Sequence, residues 1–158
     1  MFSPFGSRRT GGTPMTRSTL GRATVPVHLW LVGLLTLLFN AMGIVSYLTT
    51  KLGLLAEMGL TPGQIAFMES YPAWVSAFWA LGVWGAFAGS VLILLRSRWA
   101  VAAMVAALVG LAVVTFYHYV LITVPADMQA PGLDLAIWSV TLFLLVYARR
   151  MTAAGVLR

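Results

Sequence analysis

Four long apolar runs, separated by short polar segments, organise the chain. They fall at about Val27–Thr49, Ala73–Leu95, Trp99–Leu121 and Leu133–Tyr147. The first three hold 23 residues each, about 35 Å of helix at about 1.5 Å per residue. That length crosses about 30 Å of hydrocarbon with some tilt. The fourth run is shorter and carries Asp134. It spans if Arg149 and Arg150 snorkel to the headgroups. The pattern predicts an all-α integral membrane four-helix bundle over residues 25–151. A flexible basic tail over 1–24 precedes it and a short tail over 152–158 follows it.

The links between runs refine this layout. Arg96-Ser97-Arg98 is so short that the second and third spans must be antiparallel neighbours. The first and second spans are joined by a long connection, Thr50–Pro72. Inside it, Thr61-Pro62-Gly63-Gln64 reads as a helix start, with Thr at the cap, Pro at the first helical position and Gln three residues after the cap. A short helix over Pro62–Ser70 is expected there, lying in the membrane interface. The arginines Arg8, Arg9, Arg17 and Arg22 before the first run resemble a secretory signal. The apolar run behind them is too long for one, so it reads as an uncleaved anchor.

Composition agrees with the pattern. Of 158 residues, 60% are hydrophobic and 9% charged, against about 25% charged in a soluble domain. A soluble globular domain, a disordered chain and a solvated coiled coil are excluded. Net charge is +6. Beside apolar spans, that excess sets topology and touches anionic lipid; no basic stretch carries the interleaved aromatics of a nucleic-acid binder. Cysteine is absent, which removes disulfides, thiolate metal sites and a cysteine nucleophile.

Charge also gives an orientation. With four spans, Arg8, Arg9, Arg17, Arg22, Arg96, Arg98, Arg149, Arg150 and Arg158 share one side. Glu57, Glu69, Asp127, Asp134 and Lys51 share the other. The positive-inside rule then puts both termini in the cytoplasm of a bacterial inner membrane. Arg8, Arg9, Arg17, Arg22, Arg96, Arg98, Arg149 and Arg150 are the expected contacts to lipid or to partner subunits. Trp30, Trp74, Trp99 and Tyr147 sit near span ends, where amphipathic rings favour the headgroup region.

Helices in lipid approach closely through small residues. Gly82, Gly85 and Gly89 share a face of the second span, and Ala102, Ala106 and Gly110 recur along the third. A tight hairpin on those two faces is expected. Asn40 lies near the middle of the first span, where an amide needs a partner. It is either a hydrogen bond to a neighbouring helix or a ligand contact. Tyr47, His118 and Asp134 should lie near the same membrane surface. A His118–Asp134 pair could relay protons or shape a polar pocket, and it could equally be a polar rim that anchors helix ends. His28 and His118 fall near opposite surfaces, so they cannot ligate one haem. No hydrolase, phosphate-loop or zinc motif is present, and no cofactor or metal site is expected.

Phe39–Leu48 (FNAMGIVSYL), Tyr71–Val101 (YPAWVSAFWALGVWGAFAGSVLILLRSRWAV) and Tyr147–Arg158 (YARRMTAAGVLR) resemble a set of small bacterial four-span inner-membrane proteins of unassigned function. Some of these are labelled sugar transporters. The resemblance implies the same four-span layout and carries no functional residues across. Together these features point to a non-enzymatic accessory or assembly subunit of a larger respiratory or photosynthetic complex. The alternative is a small solute transporter acting as an oligomer, with Asn40, Tyr47, His118 and Asp134 along its path.

Overall fold

The computed structural model describes residues 26–158, and they fold into helices and connecting turns. The tail 1–24, with the contacts expected of Arg8, Arg9, Arg17 and Arg22, lies outside the described residues. The long helices are α1 (Val27–Lys51), α3 (Ala73–Leu94), α4 (Ala100–Phe116) and α5 (Pro131–Ala153). A short α2 (Pro62–Glu69) stands between α1 and α3. The α4 helix continues through a π-helical turn over Tyr117–Leu121, and a 3₁₀ turn over Ala126–Met128 precedes α5. Four helices, counting α4 together with its π turn, are long and apolar enough to cross a membrane.

Large apolar side chains cover the outside of this bundle, among them Leu31, Leu34, Leu38, Met42 and Val45 on α1. In water such a surface would be a heavy liability; in lipid it is the solvated face. The small fraction of each span buried inside the protein is what a bundle bathed in hydrocarbon requires.

The helices pack in sequence. The α3 helix lies between α1 and α4, and α5 lies against α4. The α1–α3 register is antiparallel and constant. A Cβ on Gly33 would meet Leu94, Asn40 bonds Ala86 and Ser90, and Gly43 faces Val83. Each step up one helix matches a step down the other. The core gathers toward the Arg96–Arg98 end, where Leu29, Ile93, Ala100, Met104, Leu144 and Ala148 are buried together.

Three expectations change. The fourth span is longer than Leu133–Tyr147, running from Pro131 to Ala153. Pro131 opens it at the first helical position, and Ala148, Arg149, Arg150 and Met151 are good helix formers whatever their polarity. Apolar patterning marks where hydrocarbon ends, not where helical hydrogen bonding ends. Residues 152–158 are not a free tail. Gly155 at φ +70 closes α5 with a left-handed turn, Val156 N–H donating to Met151 and Gly155 N–H to Thr152. The chain doubles back, and Val156 and Leu157 are almost fully buried in the core. Arg158 then exchanges backbone hydrogen bonds with Arg96 and Arg98, each 2.9 Å. The third change is in which face of α4 meets α3.

Candidate functional site

The tightest contact in the molecule joins α3 to α4, as expected of two spans linked by a short turn. A Cβ on Gly85 would sit 2.9 Å from the Ala107 nitrogen, and one on Gly82 would meet Leu111 and Gly110 backbone. One on Gly110 would collide with the Gly82 and Phe78 backbone. Gly89 faces the Met104 side chain. The α4 face is therefore Ala103, Met104, Ala107 and Gly110, not Ala102, Ala106 and Gly110. Ala102 is exposed and Ala106 half-buried. The face is centred on Ala107, and at about 100° per residue Ala106 lies about 100° and Ala102 about 140° round the helix from it, so only Gly110 of that row reaches α3.

Asn40 is buried and joins α1 to α3. Its Nδ2 donates to Ser90 Oγ at 2.9 Å and to the Ala86 carbonyl at 3.2 Å. Ser90, fully buried, donates to Ala86 at 3.1 Å and reaches Thr36 Oγ1 at 3.4 Å. Thr36 donates to the Val32 carbonyl at 2.7 Å. Ser90 and Thr36 return protons to their own helices, as hydroxyls do in spans. Asn40 supplies the two shorter bonds that cross between helices in this cluster, and the longer Ser90–Thr36 bond is the third.

The other candidates gather at the opposite end from the arginines, but not as one site. Tyr47 packs edge-on against Trp79, with ring centres 5.2 Å apart, and Lys51 Nζ lies 6.0 Å from the Tyr47 ring. Lys51 donates to Ser76 at 2.8 Å. His118 does not bond Asp134. Its Nε2 lies 2.6 Å from the Tyr71 hydroxyl, and Asp134 Oδ2 accepts from Tyr119 at 2.7 Å. The π turn explains the separation. It lets consecutive Tyr117 and His118 both pack on Tyr71, at ring distances of 5.7 and 5.5 Å. Tyr119 is left to meet Asp134 on the exposed side.

Tyr71 is the hub of this end, a role its sequence position alone does not give. It also contacts Phe67 and Trp79, tying α2, α3 and α4 together. Burial, with Tyr117 alongside, pushes its phenol from 10.0 up to about 12. The available signal was its place just before Pro72, where the chain must be extended and its side chain can turn back over the helix ends.

At the arginine end, His28 Nδ1 and the Tyr147 hydroxyl lie 2.7 Å apart, joining α1 to α5. Arg98 and Arg149 line a shared groove; Arg96 occupies the turn itself, and Arg150 is exposed on α5. Among the described residues no group of three or more His, Asp or Glu is placed to hold a metal.

Four apolar spans, with polar residues paired across the helix contacts, define a multi-pass membrane protein. No family model matches the chain, and no curated protein or solved structure matches it either.

Proposed function

We propose that this chain is a non-enzymatic accessory or assembly subunit of a larger complex, seated in a bacterial inner membrane with both termini cytoplasmic. It would group with the small four-span proteins that its sequence resembles. The observation that carries this reading is where the polar side chains spend their hydrogen bonds. Asn40 bonds α3, His118 bonds Tyr71, Asp134 accepts from Tyr119, and Trp138 donates to Thr115 at 3.1 Å. These bonds stitch neighbouring elements together. The four residues expected along a solute path are each engaged with a neighbouring side chain, Asn40 with Ser90, Tyr47 with Trp79, His118 with Tyr71 and Asp134 with Tyr119. The exposed apolar ladder of α1 offers a partner helix a long face.

The test is solubilisation of the membrane in a mild detergent, followed by identification of what migrates with the tagged chain. A different membrane protein at fixed stoichiometry is expected. A homo-oligomer migrating alone overturns this reading and favours an oligomeric solute transporter.

A further inference from the structure

Where α4 begins and α5 ends, an open groove of about 610 Å³ is lined by Arg98, Trp99, Val101, Ala102, Arg149 and Thr152, with Ala153. One guanidinium comes from the turn before α4 and the other from α5, and no carboxylate is among the lining residues. Val101, Ala102 and Ala153 make the rest of the wall apolar. Trp99 is 64% exposed at the end of a span, the depth at which an indole meets headgroups. Ala102, expected in a helix contact, instead opens onto this groove.

We infer that the groove between α4 and α5 binds one anionic glycerophospholipid, its phosphodiester held by Arg98 and Arg149 and its upper acyl chain laid on Val101 and Ala102. Charge and polarity both select this ligand. Two cations favour a lipid of net negative charge, and guanidinium groups match phosphate oxygens in geometry as well as charge. An apolar wall continuous with the hydrocarbon face needs a chain attached to that phosphate. Basic pockets between spans are where anionic headgroups settle. Thr152 donates to the Ala148 carbonyl at 2.8 Å, so its hydroxyl oxygen is committed as a donor to its own helix and the arginines carry the anion. The inference needs a membrane location but not the accessory-subunit reading.

The full-length protein, purified in detergent with equimolar phosphatidylglycerol and phosphatidylcholine, would be examined by native mass spectrometry. One retained phosphatidylglycerol per chain is expected, with phosphatidylcholine washed away. The double substitution Arg98→Gln, Arg149→Gln should weaken retention about 25-fold, from about a fivefold loss at each guanidinium. Arg158→Gln, exposed at the same end of the bundle but outside the groove, should leave retention unchanged. Ala102→Leu keeps both charges and fills the wall; it should also release the lipid. Equal retention of the two lipids, or retention unaffected by the double substitution, overturns the inference. Displacement by inorganic phosphate overturns it as well, because that would mark a site for free anion rather than for lipid.

Discussion

Gly110 is the residue on which the α3–α4 contact turns. Any Cβ there meets backbone, at Gly82 and Phe78, and backbone cannot step aside. At Gly89 the obstacle is the flexible end of Met104, which can rotate away. Gly110→Ala is therefore expected to cost about 1–3 kcal/mol, the usual range for overpacking, and Gly89→Ala distinctly less. Unfolding titrations in mixed micelles would rank them, and equal costs would contradict the contact. Arg96 makes the opposite case. It sits at φ +58, a left-handed position where glycine is preferred, and its buried Nε has no hydrogen-bond partner. Arg96→Gly should stabilise the fold by about 1 kcal/mol or leave it unchanged, since left-handed backbone costs a side-chain-bearing residue about 1–2 kcal/mol. A clear loss of stability in the same titration would show that the Arg96 side chain holds the turn.

At the scale of elements, the local chemistry of helix ends was legible. Thr61 and Gln64 form the reciprocal cap that their spacing implied. The Thr61 N–H donates to Gln64 Oε1 at 2.9 Å, and the Gln64 N–H donates to Thr61 Oγ1 at 3.4 Å. The starts of α1 and α3, Val27 and Ala73, each follow directly on a proline, Pro26 and Pro72. The fold-back of Val156 and Leu157 replaces the expected short tail, and Gly155 followed by an apolar residue is its local signal. The π turn over Tyr117–Leu121 had no such signal. No Gly or Pro marks it; it coincides with the packing of Tyr117 and His118 on Tyr71, a contact no local pattern encodes. That also explains why His118 and Asp134, close along the surface, do not pair.

Tyr71 makes the junction of α2, α3 and α4 sensitive to pH. Its phenol is raised in the folded protein, so the neutral form is the one the fold favours. The stability it contributes is complete below pH 10 and is lost as the pH climbs from 10 toward about 12. In an ultraviolet phenolate titration, Tyr71→Phe should remove one late-titrating tyrosine. If the lost tyrosine titrates near 10, Tyr71 is not buried as described.

For the whole molecule, the number of spans followed from hydropathy and from the partition of charge, and both depend only on composition along the chain. The structure brings Arg96, Arg98 and Arg158 into one backbone cluster and sets Arg149 across a groove from Arg98. At the other end, Gln64 donates to Asp127 at 2.9 Å, joining the two connections that carry the acids. What patterning could not supply was the order of packing, with α3 between α1 and α4, because lipid-facing and helix-facing residues are equally apolar.

The native chain has no cysteine, so single cysteines report topology without background. Met58→Cys, Ala130→Cys, Ser97→Cys and Ala154→Cys would be probed in intact cells with a membrane-impermeant maleimide, before and after permeabilisation. Met58→Cys and Ala130→Cys are expected to label at once, and Ser97→Cys and Ala154→Cys only after permeabilisation. Labelling of Ser97→Cys together with Met58→Cys, or of Ser97→Cys and Ala154→Cys from opposite sides, would contradict a four-span bundle with its arginines in the cytoplasm.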